Sequence, residues 1–197
     1  MSRGLGDVYK RQAEGDPSES EAFMSELAAE KQSWVVGGLV FRQADGRGRN
    51  ELAVFGPEGE LIGRYQKNHT FSYTGESDSY DRGTEIFVAK LGNFQVCPLI
   101  CYDLRFPELF RRGVVAGANL FVVMASWPSV REDHWVTLLR ARAIENQAVV
   151  VGVNRCGSDP KFDYSGRTII VGEQGKIVAD AESCLLYTSD AADEWLR

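Results

Sequence analysis

Apolar residues along this chain gather in short unbroken runs separated by helix-like segments. "WVVGGLVF" (34–41), "ANLFVVMAS" (118–126) and "AVVVGVN" (148–154) each read as a buried strand and "NFQVCPLICY" (93–102) as a strand, in a sheet covered on a face. Between them, "FPELFRRGVVAG" (106–117) predicts a helix with Pro107 in its first turn. "REDHWVTLLRARAIENQ" (131–147) predicts another, with Trp135, Leu138 and Leu139 spaced i, i+3, i+4. An earlier helix is expected over "SESEAFMSELAAEKQ" (18–32), with Asp16 as N-cap, Pro17 at the first helical position and a stripe of Phe23, Leu27 and Ala28. Two hairpins are expected as well. "ELAVF" and "ELIGRYQK" flank the turn "GPEG" (56–59), and "RTIIVGEQGKIVAD" (167–180) folds back on itself. The echo between "FGPEGEL" (55–61) and "VGEQGKI" (171–177) hints at internal duplication. Strands alternating with helices, plus hairpins, predict a layered α/β domain.

The two ends do not share this pattern. "GDVYKRQ" (6–12) and "LLYTSDAADE" (185–194) resemble peptides translated from sequencing-adaptor DNA in metagenomic assemblies. Residues 1–12 and 185–197 are therefore expected to be foreign to the fold, with the natural domain over 13–184 and continuing in both directions. At 197 residues the chain suits one sizeable domain.

Composition narrows the function. A net charge of −6 without a Lys/Arg cluster disfavours a nucleic-acid surface. No apolar run reaches bilayer length, and no signal-peptide core is visible, so a cytoplasmic protein without membrane association is expected. The sequon Asn68-His69-Thr70 would then be idle. Cys97, Cys101, Cys156 and Cys184 form no CxxC pair and have only His69 and His134 as imidazole company. A zinc site and a disulfide scaffold are both disfavoured, and no cofactor is implied.

One thiol stands apart. Cys101 falls where a strand gives way to a helix, and free cysteine is ordinarily a buried packing residue. At such a junction, however, unpaired N–H groups, the Tyr102 N–H nearest, can face a developing oxyanion, and a nearby cation would favour thiolate. Lys67 closes "GRYQK" just before an apparent loop (68–83). A strand-closing lysine is ordinarily solvated, so residue type alone leaves both roles open.

"YQKNHTF", "CPLICYDLRFPE", "ASWP", "HWVTLLRARAIENQ" and "VGVNRCGSD", in this order, resemble the nitrilase superfamily of carbon–nitrogen hydrolases, nearest its bacterial ω-amidase branch. The similarity runs over roughly residues 13–182. It implies a four-layer α-β-β-α sandwich, usually dimeric, and a Glu–Lys–Cys triad. Cys101 then matches the nucleophile and Lys67 the triad lysine, while Glu76 in "TGES" falls where the family carries a second glutamate. Trp127 becomes a candidate pocket wall, with core packing nearly as natural a role. Asp103 and Arg105 are expected to tie down the nucleophile turn by an ion pair, and Glu145 to support the site from behind. His134 is expected at the surface or in helix packing, and Cys97 and Cys156 in the core.

The family's general-base glutamate follows an upstream strand in a Pro-Glu context. No apolar strand precedes Glu14, Glu19 or Glu21, so the base is left unassigned. The resemblance implies hydrolysis of a small ω-amide of a 2-oxo dicarboxylate, such as 2-oxoglutaramate, through a cysteinyl thioester. Alternatives are another amidase of the family, acting on deaminated glutathione or a carbamoyl compound, and a non-catalytic binding protein. The polypeptide as written is expected to be poorly soluble and inactive, missing the first strand and helix of the sandwich and its C-terminal end, and its full-length parent to be a homodimer.

Overall fold

The computed structural model describes residues 18–182; the end segments 1–12 and 185–197 lie outside them. Two compact units divide the chain, one closing at Met124 and the other opening at Ala125.

The first unit begins with helix α1 (Glu19–Lys31), capped by the Ser18 hydroxyl, which accepts the Glu21 N–H at 3.1 Å. Ser18 thus takes the capping role expected of Asp16, which lies outside the described residues with Pro17. The expected apolar stripe is also displaced. Phe23 is 63% exposed, and the buried face is Glu21, Met24 and Ala28. The sheet decides this, because a Cβ at Gly37 would lie 1.9 Å from the Met24 sulfur, so Met24 fills the space that the glycine leaves. Glu21 is tolerated in the interface because Arg64 pairs with it.

Strands β1 (Val35–Arg42), β2 (Gly48–Phe55) and β3 (Leu61–Gln66) form an antiparallel meander, with Val35 opposite Phe55 and Leu52 opposite Tyr65. Both faces of β2 are covered. Ala53 and Phe55 pack with Met24 and Ala28 of α1, whereas Val54 faces a second sheet through Ala89, Leu91 and Val96. That double burial is why the run "LAVF" is unbroken.

The segment after β3 is more structured than the loop expected there. It contains a 3-10 turn (Ser72–Thr74), a one-turn helix α2 (Glu76–Ser79) and the short strand β4 (Tyr80–Asp81), which pairs in parallel with the start of β2. The second sheet then starts with β5 (Ala89–Leu91), antiparallel to β6 (Phe94–Ile100). Helix α3 (Pro107–Val115) carries the crossover to β7 (Leu120–Ala125), which runs parallel to β6. Gly113 lets α3 approach closely, since a Cβ there would lie 2.6 Å from the Phe121 ring. Within this unit the layers therefore run helix α1, first sheet, second sheet, helix α3.

The second unit holds helix α4 (Glu132–Asn146), strand β8 (Val149–Asn154), the small hairpin β9 (Cys156–Ser158)–β10 (Asp163–Ser165), and strands β11 (Ile169–Val171) and β12 (Ile177–Asp180). Trp135 and Leu139 of α4 are fully buried over Gly152, whose absent Cβ would lie 2.7 and 2.4 Å from them. Leu138 is half-buried, and the buried face continues through Arg142, Ala143 and Asn146.

The echoed segments adopt one geometry. In each, the first glycine N–H meets a carbonyl four residues on at 2.9 Å (Gly56 to Glu60, Gly172 to Lys176), and the second glycine closes the turn at 2.8 Å with positive φ. Each turn is also held by the preceding helix: the Ser25 hydroxyl donates to the Gly59 carbonyl, and the Arg140 guanidinium to that of Gly175. A helix, a strand and a tethered hairpin thus occur twice. No helix among the described residues is long and apolar enough to cross a membrane.

Candidate active site

Strand β6 ends at Ile100, and Cys101 opens a 3-10 turn (Cys101–Arg105) with φ of +47°. A residue with a Cβ costs about 1–2 kcal/mol in this left-handed region, so the turn must be held from outside. Asp103, fully buried, holds it. Its Oδ2 accepts the Ile100 N–H at 3.1 Å and the Tyr65 hydroxyl at 2.8 Å. Its Oδ1 accepts the His69 N–H at 2.9 Å and lies 3.0 Å from His69 Nδ1, which therefore carries the proton. The His69 ring stacks on Phe106, centroids 3.6 Å apart. Asp103 does tie down the turn, through Tyr65, Ile100 and His69, while Arg105 sits half-buried at the end of the turn. Tyr65 is not singled out by the sequence, and His69 is considered there only as a metal ligand and in a sequon. They lie two residues either side of Lys67 at strand spacing, and that period was the available signal.

Lys67 leaves the end of β3 and is 3% exposed. Its Nζ donates to both oxygens of Glu76, at 2.8 and 2.7 Å. Glu76 opens α2 and also accepts the Phe71 N–H at 2.7 Å and the Asn50 amide at 3.2 Å. Backbone bonds fix the lysine on both sides, from its N–H to the Asn50 carbonyl and to its own carbonyl from the Gly83 N–H, each 2.8 Å. Burial presses its ammonium pKa downward, but attraction from Cys101 and then Glu76 outweighs it, leaving the group above the ordinary lysine range. The ammonium is thus within electrostatic reach of the thiol as well as bonded to the carboxylate. Phe71 and Tyr102 bring their rings to 4.8 Å, and Tyr102 meets Phe106 edge-on at 5.3 Å.

The other cysteines differ. Cys97 is fully buried, and burial first, then Asp103, push its thiol up to about 12. Cys156 was expected in the core but is exposed, because its strand pairs only within a small hairpin. Cys184 lies outside the described residues. Among the described residues, no group of three or more His, Cys, Asp or Glu is placed to hold a metal ion.

Trp127 and Glu145 belong to the second unit. Trp127 is 4% exposed, its indole N–H donates to the Arg131 carbonyl at 2.8 Å, and its ring lies 5.6 Å from Trp135. Its backbone is bracketed by the Asn154 amide, which accepts from one side and donates from the other. Glu145 accepts from Arg142 at 3.0 Å. His134 is exposed on α4.

Three groups around this turn share one pH signature. Burial drives the Tyr65 phenol and the Cys97 thiol upward, and Lys67 is raised by its partners. Each holds its proton more tightly folded than unfolded, so stability is complete below the ordinary pKa values and falls as pH rises through them. The melting temperature is therefore expected to drop steadily from about pH 9 upward, where unfolded cysteine begins to ionise. A melting temperature flat between pH 8 and 11 would contradict this arrangement.

Comparison with known proteins places this geometry. The carbon–nitrogen hydrolase family profile matches residues 7–184. The 2-oxoglutaramate amidase of Bacillus subtilis (strain 168) is 33% identical over 168 residues, covering 85% of this chain and 65% of that protein. Omega-amidase YafV of Yersinia enterocolitica is 40% identical over 149 residues, 75% of this chain and 57% of that one. The chain thus spans somewhat under two thirds of these relatives. Among solved structures, Saccharomyces cerevisiae Nit3, a member of branch 10 of the nitrilase superfamily, superposes with a TM-score of 0.84 at 26% identity, covering 91% of this chain and 68% of Nit3.

Proposed function

The chain belongs to the carbon–nitrogen hydrolase family, and from that premise we propose that its site hydrolyses the ω-amide of a small 2-oxo dicarboxylate, 2-oxoglutaramate being the type substrate. The observation that carries this reading is a cysteine at positive φ just past the end of β6 together with a buried lysine whose ammonium is held by both oxygens of Glu76. The names of the relatives support the substrate class.

In this mechanism the Cys101 thiolate attacks the amide carbonyl. Lys67 and the Tyr102 N–H, at the open start of the turn, stabilise the tetrahedral oxyanion. The amide nitrogen takes up a proton as its bond to carbon breaks and departs as ammonia, leaving an acyl thioester on Cys101. Water then gives up a proton as it attacks, breaking the C–S bond and releasing the acid. Both proton transfers are the work of the family's general-base glutamate, which is unassigned in this chain. Glu76 is committed to Lys67, Asn50 and the Phe71 N–H, so it holds the lysine in place and does not serve as the base. No general base is assigned among the described residues, and the polypeptide as written is expected not to turn over.

Intact-mass analysis tests the reading. Incubation with 2-oxoglutaramate, the amide of deaminated glutathione and an N-carbamoyl amino acid, with ammonia assayed in parallel, is expected to give an acyl adduct on the Cys101 peptide from the first alone. A marked preference for the carbamoyl compound would overturn the ω-amide assignment.

A further inference from the structure

The segment beyond Lys67 contributes to a half-open pocket of about 490 Å³ whose lining includes His69, Ser77, Arg82 and Tyr102. Cys101, Lys67 and Glu76 are not part of that lining, but their near neighbours along the chain are. Tyr102 follows Cys101, Ser77 follows Glu76, and His69 lies two residues past Lys67. Arg82 is fixed close to the same place, because the next residue, Gly83, donates its N–H to the Lys67 carbonyl at 2.8 Å. A Cβ at Gly83 would lie 2.4 Å from the Gln66 carbonyl, so this stretch lies flat against the end of β3.

The charges lining the cavity do not cancel. Arg47 pairs with Asp81 and also donates to the carbonyls of Ser77, Asp78 and Tyr80, so its guanidinium is committed to holding the wall. His69 uses Nδ1 on Asp103. Arg82 is exposed and makes no hydrogen bond or ion pair among the described residues. With Arg47 and Asp81 compensating each other, one positive charge faces the cavity without an internal partner. The rest of the polar lining includes hydroxyls, with Ser77 Oγ 2.9 Å from Thr70 Oγ1 and 3.0 Å from Ser72 Oγ. The volume lies within the range of small-molecule sites and exceeds what a five-carbon acid needs.

We propose that Arg82 anchors the carboxylate of the substrate, its guanidinium meeting the two oxygens in a charge-assisted pair while the amide end reaches Cys101. This inference rests on the function proposed above and adds the residue that selects an acidic amide over a neutral one. Lysine at this position would keep the charge and lose the fork.

The test uses the full chain and the alkylation of Cys101 by iodoacetamide, followed by peptide mapping so that Cys156 is counted separately. 2-Oxoglutarate, the acid released from the proposed substrate, serves as the protecting ligand, and protection is referenced to each protein's own rate without it. The expected result is saturable protection, weakened about tenfold or more by Arg82→Gln and restored in part by Arg82→Lys, as a charged hydrogen-bonded pair requires. Unchanged protection in Arg82→Gln, or a reactive thiol that 2-oxoglutarate never protects, overturns the anchor and leaves the role of Cys101 standing. A Cys101 that reacts no faster than a cysteine in an unstructured peptide overturns the proposed function and the anchor together.

Discussion

Lys67→Met is expected to lower the unfolding free energy by about 3–5 kcal/mol, the usual consequence of removing one partner from a buried ion pair. Lys67 and Glu76 are 3% and 6% exposed, and the lysine donates to both carboxylate oxygens. Without it, Glu76 keeps only the Phe71 N–H and the Asn50 amide, too little to hold a buried charge. A loss of that size is a large fraction of the stability of an ordinary domain. Urea unfolding would measure it as a lower midpoint at similar slope. The double variant Lys67→Met/Glu76→Leu is expected to recover most of the loss, because no unpaired charge then remains. A single-variant loss below about 1 kcal/mol would mean that water reaches the pair. Alkylation of Cys101 should slow in both variants, since the cation that favours its thiolate is gone.

Cys101→Gly is expected to move stability the other way while ending the chemistry. At φ of +47° the Cβ of Cys101 is a steric burden that glycine does not carry. Removing it should raise the unfolding free energy by about 1 kcal/mol, less what is lost with the thiol's own packing. Cys101→Ala keeps the burden and serves as control, so the two variants should differ from each other by more than either gains from losing sulfur. Both should lose the acyl adduct entirely. A glycine variant less stable than the alanine one would show that the turn is not strained. The expected sign is that of an active site whose geometry is held against local preference by its surroundings, here by Asp103 and its contacts with Tyr65, Ile100 and His69.

Much of this was legible in the sequence because the signals are local. Unbroken apolar runs located the strands, and the turn residues located both hairpins with their repeated glycine geometry. The thiol at one strand end and the lysine closing another strand could be picked out by position, and the ordered motifs joined them into one family. The helix stripe failed where a partner's shape decides burial. Phe23 is apolar yet exposed, and Glu21 is acidic yet buried, because Gly37 and Arg64 on the facing sheet determine what the helix face must carry. Cys156 failed for the related reason that a short strand is buried only if something lies across it.

The sequence by itself thus determined the order of the main helices and strands and the layered α/β class, and it singled out the candidate residues that the chemistry would need. Tertiary structure alone decided their company. Lys67 and Glu76 are nine residues apart with a 3-10 turn between them, so their bond depends on how that segment folds back over β2. Asp103 draws on a tyrosine 38 residues earlier and a histidine 34 residues earlier. Periodicity shows which face a side chain takes. It carries no information about which distant group will lie opposite, and in a low-dielectric interior that opposite group sets charge, protonation and strain.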